Sequence, residues 1–358
     1  MRGGRQAVLR MIGLRRFFNA LAVVLTVVYA LFGASGMTDA EAADGGGGPP
    51  PLGLPLVCEP GRTCWLVNHV DHDPGPGMRD YLCGAHGYDG HTGVDFAIRD
   101  YSKMDDGVPV VAAAAGPVLR LRDGMLDGDV GLVGKAAVAG RGCGNSVAIG
   151  HDGGWETYYC HMRRGSLTVR PGQRVEQGDK LGFVGSSGLA EFPHVHLGVR
   201  HNGRFLDPFV GQSRSSECGA GARPFWDATT LARLQGPMTA LYDAGFAPTE
   251  VNAVALRRGF YRDTELSAKS PVLIFWVDAF WVQEGDVLTM TVTDPRGHKM
   301  VDKALPVKKT QARHMRFVGK RKSVDWHEGR YTGVAVLERK TKSGGTETFR
   351  IERAMDIK

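Results

Sequence analysis

Twelve histidines are spread along the 358 residues, and imidazole together with carboxylate is the donor set from which many catalytic metal sites are built. The sharpest pattern is His194-Val195-His196. Residues i and i+2 of a strand point to one face, so both imidazoles would look into one groove while Val195 and Leu197 face a buried side. His161 ends a second strand-like run, in which alternation predicts that Tyr159 and His161 share a face and that Cys160 points away. A His followed four residues later by Asp occurs three times: His69 and Asp73, His91 and Asp95, His298 and Asp302. With this many histidines about one such pair is expected by chance, so spacing alone does not choose among them. His91, Asp95, His161, His194 and His196 supply enough groups for both needs of a hydrolytic zinc site. Those needs are three protein ligands with one open position, and a group beside the metal that moves a proton. The chain contains no His-Glu-x-x-His sequence, so that proton would be handled by a histidine.

Such a constellation needs a rigid sheet beneath it, and the chain reads as mainly β. Fifty glycines in 358 residues suggest many tight turns between short strands. From His91 to about Val210, β-branched runs at 108–115, 118–121, 146–149, 157–161, 167–169, 180–184 and 195–199 are separated by turn signals, which predicts one antiparallel β domain. Residues 144–160 read as a hairpin turning at Asp152-Gly153, which brings Cys143 and Cys160 close enough in register to pair. Alternating runs resume at 273–280, 287–293, 314–318, 331–337 and 349–357, and suggest a small immunoglobulin-like β-sandwich in which Tyr331 would be a tyrosine corner. A short helix is expected over 228–235, ended by Gly236-Pro237.

The N-terminus carries Arg2, Arg5, Arg10, Arg15 and Arg16 ahead of an apolar run from Phe17 to Ala34, the pattern of an export signal. Small residues at Ala40 and Ala42 place cleavage after Ala42, with an uncleaved membrane anchor as the alternative. Arg15-Arg16-Phe17-Phe18 also partly resembles a twin-arginine signal. All six cysteines lie beyond this leader and no CxxC occurs, so three disulfides are expected rather than a cysteine-ligated metal.

The set GHTGVDFA (90–97), GVPVVAAAAGPVL (107–119), GNSVAIGHDGGWETYYCHM (144–162), VRPGQRVEQGDKLGFVGSSG (169–188) and PHVHLGV (193–199) resembles, in order and spacing, the lysostaphin-type (LytM-like) zinc metallopeptidases. Members of that family cleave peptide bonds in bacterial peptidoglycan. The resemblance implies one zinc per chain held by His91, Asp95 and His196, with His161 and His194 as the catalytic histidines. The composition divides the chain into a signal peptide or possible anchor at 1–42, a Gly/Pro linker at 43–57 and a Cys-rich N-terminal wrap at 58–90. A zinc peptidase domain at 91–211, a connector at 212–248 and a β-sandwich accessory domain at 249–358 would follow. Two features depart from the common pattern: Cys160 beside His161, and the Cys-rich wrap itself. Within the wrap, His69, Asp71, His72 and Asp73 read as a surface loop, with a second metal site or a flap as the lesser alternative.

Two rival readings are binding modules. Residues 169–188 also resemble the half-barrel of lipoyl and biotinyl carriers, but Lys180 lies within a strand rather than at a hairpin tip. A non-catalytic wall-binding or hydrolase-activating protein could use the same fold, and the intact ligand set argues against it. From Arg296 to Lys322 there are ten lysines or arginines against Asp302 alone. A solvated face explains such a run, and a contact with an anionic wall polymer or membrane surface is the functional alternative. Nucleic acid is not an expected partner of an exported chain. The expected partner is peptidoglycan peptide and the expected location is periplasmic or secreted.

Overall fold

The computed structural model describes residues 48–212, 218–262 and 266–358. The expected leader, with its cleavage and anchor alternatives, lies outside the described residues. Among those residues no helix is long and apolar enough to cross a membrane.

The first half is built from β1 (Cys64–Asn68), β2 (Val94–Ile98), β3 (Pro109–Val111), β4 (Gly116–Arg122) and β5 (Asn145–His151). It continues through β6 (Trp155–Met162), β7 (Arg174–Val175), β8 (Lys180–Phe183), β9 (His194–His201) and β10 (Arg204–Leu206). One antiparallel sheet runs in the order β1-β2-β9-β6-β5-β4-β7, with β10 added to β9, and β3 pairs with β8 apart from it. The central strands β6 and β9 bury Tyr159, Val195, Leu197 and Val199 in one core with Phe96, Ile98 and Val147. The expected hairpin is present: β5 and β6 turn at Asp152–Gly154. Cys143 is disulfide-bonded to Cys160, as the hairpin register predicts, and the other two bonds join Cys58 to Cys64 and Cys83 to Cys218. No strand forms at 167–169, where the backbone is irregular. Strand β2, which the runs above omit, is buried at all five positions and so shows no alternation.

Four short α-helices are described: α1 (Tyr101–Asp106), α2 (Val130–Val133), α3 (Ala228–Leu234) and α4 (Ala253–Arg257). The Asp227 side chain caps α3 on the Thr230 N–H at 2.7 Å, and the helix ends before Gly236-Pro237 as expected.

The second half forms two sheets. Strands β11 (Ala240–Ala247), β12 (Val272–Val282), β13 (Val287–Thr293), β14 (Lys299–Pro306), β15 (Gln311–Arg321), β16 (Gly329–Lys340) and β17 (Thr346–Ile357) sort into β11-β12-β15 and β14-β13-β16-β17. Alternation along β13 turns Leu288, Met290 and Val292 inward against Phe275, Val277, Tyr331 and Leu337 of the facing and neighbouring strands. Tyr331 is buried and its hydroxyl donates to the His327 carbonyl at 3.0 Å, the bond expected of a tyrosine corner. Residues 240–247, expected in the connector, form strand β11, whose Asp243 and Gly245 interrupt the apolar pattern that would mark a strand.

The two halves share a core of their own. Trp65, Val67 and Ala97 from β1 and β2 pack with Tyr242, Phe280 and Trp281 of β11 and β12. The Trp281 indole N–H also donates to the Val67 carbonyl. Large aromatic side chains buried this way dominate interface energetics, so the sandwich is seated beside β1 rather than tethered loosely.

Candidate metal centre

The pairing of β2 with β9 sets Asp95 directly opposite His196 and Ala97 opposite His194. Side chains at directly opposed positions lie close enough to interact, which brings the Asp95 carboxylate onto the His196 ring. His91 approaches from the turn before β2, its Nε2 3.1 Å from Asp95 Oδ1 and 3.0 Å from His196 Nδ1. Asp95 Oδ1 is 2.9 Å from His196 Nδ1, which closes the triangle. Within this segment Gly93 is obligatory, because a Cβ there would stand 2.5 Å from both His196 Nε2 and the Leu197 carbonyl oxygen.

The protonation pattern follows from the partners. His91 Nδ1 lies 2.7 Å from the His69 carbonyl oxygen, which can only accept, so Nδ1 donates and Nε2, once deprotonated, turns a lone pair toward the centre. Three electron-rich atoms within about 3 Å need a positive charge among them. The edge of a tetrahedron with ~2.0–2.2 Å bonds is about 3.3–3.6 Å, a few tenths of an ångström wider than the 2.9–3.1 Å spacing here, so the donor set fits a divalent metal ion after a small outward shift. Among the described residues this is the one His/Cys/Asp/Glu group able to hold a metal.

The other two His–Asp pairs are elsewhere engaged. Asp73 accepts from the Gly75 N–H, His298 is exposed beside Asp294, and Asp302 pairs with Lys299. The His69–Asp73 stretch, however, is more than the surface loop expected of it. His69 is buried, and its carbonyl orients His91. Asp71 accepts from the Gly90 N–H at 2.8 Å, and its own N–H donates to the His91 carbonyl at 2.8 Å. The wrap is therefore the buttress of His91.

His161 reaches the site by a route that alternation did not foresee. Between the pairs Asn145↔Met162 and Val147↔Tyr159 the single residue Ser146 faces both Cys160 and His161, which is a β-bulge. His161 takes a left-handed conformation, φ 61°, so it leaves the Tyr159 face and joins Cys160 on the groove side, while Tyr159 stays in the core. The expectation that Tyr159 and His161 share a face is thus overturned by one inserted residue. The ring is locked by Nδ1 donating to the Ser187 carbonyl at 2.7 Å, and His194 is held in the same way by the Phe192 carbonyl at 2.8 Å. Both rings present Nε2, with centroids 4.5 Å apart, and His194 Nε2 stands 3.8 Å from Asp95 Oδ2.

Burial, reinforced by His194 and His196, pushes His161 well below its ordinary pKa. For Asp95, burial favours the neutral acid, but the charges of His91 and His194 and the hydrogen bonds from His196 and His91 outweigh it and hold the carboxyl well below its usual range. Asn68, which sequence reasoning missed, donates to Asp95 Oδ2 at 2.8 Å. A bulge between Leu66 and Asn68 in β1 brings it opposite Asp95, and no short-range pattern signals that. The centre opens into a groove of about 520 Å³ lined by His91, His161 and His196 together with Arg120, Tyr158 and Phe205.

Residues 89–208 match the profile of Peptidase family M23. Over 120 residues the chain is 31% identical to an uncharacterized metalloprotease of Haemophilus influenzae, covering 34% of this chain and 20% of that relative. Over 118 residues it is 34% identical to a DD-carboxypeptidase/endopeptidase of Neisseria meningitidis serogroup B, covering 33% of this chain and 22% of that one. A glycyl-glycine endopeptidase of Staphylococcus capitis is 29% identical over 134 residues, 37% of this chain and 30% of its own length. The chain thus spans about a fifth to a third of the length of these curated relatives.

Proposed function

We propose, from the match of residues 89–208 to Peptidase family M23, that the chain is an exported zinc endopeptidase that hydrolyses peptide bonds of bacterial peptidoglycan. The observation that carries the reading is the triangle of His91 Nε2, Asp95 Oδ1 and His196 Nδ1 with two further histidine Nε2 atoms at its side. These three residues would hold the zinc, which supplies Lewis-acid polarisation of the scissile carbonyl and acidification of a water. His161 and His194 are the catalytic histidines of this reading. With Nδ1 of each fixed on a backbone carbonyl, Nε2 is the working atom, placed to take a proton from the attacking water or to hand one to the leaving amine. Asn68 and the His69 carbonyl hold Asp95 and His91 in place, so the ligands need little rearrangement when the metal enters.

Export is supported by the expected leader and by six cysteines that all form disulfides. The relatives differ in the bond their names specify, so peptidoglycan peptide is the substrate class proposed and the bond is left to experiment. In the basic segment, Arg296, Lys299, Arg313 and Lys322 pair with nearby acids. Lys303, Lys308, Lys309, Arg316, Lys320 and Arg321 remain exposed, and they are the surface proposed to meet anionic wall polymer or membrane headgroups.

The test is digestion of purified peptidoglycan by the oxidised mature chain, with products identified by mass spectrometry. Release of peptide-cleaved fragments that stops with a chelator and returns with zinc supports the enzyme and identifies the bond. Folded, zinc-loaded protein that binds wall but releases nothing would instead favour the non-catalytic wall-binding reading.

A further inference from the structure

The groove does not end at the three ligands. A second cavity, of about 460 Å³, lies against Asp95 and His194 and meets the first at Tyr88 and Leu189, which line both. Its far wall belongs to the C-terminal half: Ala312 and Arg313 of β15, and Arg257 of α4. Arg313 Nη2 donates to the Tyr242 hydroxyl and to Asp278 Oδ2, while its Nε and Nη1 are buried with no hydrogen-bond partner among the described residues. The guanidinium lies 5.0 Å from the centroid of the Phe192 ring, which is itself 4.8 Å from the His194 ring and supplies the carbonyl that orients it. A stack of Arg313, Phe192 and His194 therefore links the sandwich to the centre.

On the wall that the C-terminal half supplies, the charges do not cancel. Asp278 is fully buried, and its Oδ2 serves Arg313 and also Arg257 Nε at 3.4 Å, so one carboxylate stands between two guanidiniums. Lys135 and Glu191 on the exposed rim offset each other. A buried guanidinium nitrogen with no acceptor is costly, and a turn of the Arg313 side chain toward the cavity would let an anion there satisfy it. The anion has to carry a single charge, because Asp95 and Glu191 line the same space and would oppose a dianionic phosphate.

We infer that this cavity is a carboxylate subsite, in which Arg313 of the accessory sandwich binds an ionised carboxylate of the peptide that is cut beside His194. The inference rests on the peptidase reading and adds to it that the sandwich sets substrate specificity rather than only anchoring the enzyme. Arginine suits the task, since it stays charged and donates in a fixed plane.

The test uses the full, disulfide-bonded, zinc-loaded chain with synthetic stem peptides whose C-terminal and side-chain carboxylates are amidated one at a time. Amidation of the recognised carboxylate lowers kcat/KM roughly ten- to a hundredfold, the range of a hydrogen bond to a charged group, and identifies which carboxylate is read. In Arg313→Gln the acid and amide forms become equal within about twofold, and the loss lies in KM. Binding of the same peptides, followed by calorimetry, gives the same ratio without turnover. If Arg313→Gln does not fold, Arg257→Gln, at a half-buried position, carries the test with a smaller loss of discrimination. Cleavage with no preference for the free acid overturns the subsite and leaves the peptidase standing. Acid-selective, Arg313-dependent binding without any cleavage overturns the peptidase and leaves the subsite.

Discussion

Replacing Asn68 tests whether the Asp95 carboxylate is held in place by its neighbour or by the metal alone. Asp95 divides its two oxygens: Oδ1 faces His91 and His196, while Oδ2 accepts from Asn68 at 2.8 Å and has only His194 nearby, at 3.8 Å. Asn68→Ala removes that donor and frees the carboxylate to turn about its own axis. A hydrogen bond to a charged acceptor contributes about 1.5–3 kcal/mol, and about 1.4 kcal/mol corresponds to a factor of ten. Zinc affinity should therefore fall roughly ten- to a hundredfold, which is also the usual effect of removing an outer partner of a metal ligand. The assay is competition with a calibrated chelator on the disulfide-bonded chain, with thermal unfolding of the metal-free protein as the folding control. Asn68→Leu, which fills the volume without donating, should behave like Asn68→Ala. A folded leucine variant that holds zinc within about twofold of wild type would refute the argument, because the carboxylate would then be oriented without Asn68.

Other expectations follow from the same contacts. His194→Ala should keep zinc and lose roughly 10²- to 10⁴-fold in kcat, whereas His196→Ala should lose the metal as well, as read by bound-metal analysis and muropeptide release. Converting Cys143 and Cys160 together to alanine opens a link spanning 17 residues, for which chain entropy gives a loss of about 3 kcal/mol, measurable by urea unfolding; a loss below about 1 kcal/mol would contradict it. Burial raises the Asp243 carboxyl from 3.8 to about 6, with Arg99 and Arg353 offsetting only part of the rise. An acid raised in this way leaves stability untouched below about pH 4, lowers it progressively between pH 4 and 6, and lowers it by a constant amount above. Asp243→Asn should thus gain about 2–3 kcal/mol relative to wild type on going from pH 4 to pH 7, and a difference independent of pH would show that the carboxyl is not raised.

The placing of His194 and His196 together was legible because their order is local. His194-Val195-His196 states its geometry through alternation, and the hairpin at Asp152-Gly153 implied the Cys143–Cys160 bond. The sandwich likewise announced itself through alternating strands and Tyr331. What was not legible depends on register or on distant packing. The bulge that turns His161 away from Tyr159 is one residue in a count between two strands, and the bulge that delivers Asn68 to Asp95 is another. Strand β2 hid because both its faces are buried. That Arg313 ends over Phe192 depends on packing between the two halves, such as the contact of Trp65 with Tyr242, whose partners lie far apart in the chain.

The bond between Cys83 and Cys218 spans 135 positions, and His91, Asp95, His161, His194 and His196 all lie between its two ends. The whole cluster is therefore carried on one covalent ring. A foreign protease that cuts once in an exposed stretch such as Leu132-Val133 opens the ring but releases no fragment, so the groove can stay assembled around a single nick. If the chain is exported as proposed, that closure converts the first cut from destruction into a scar.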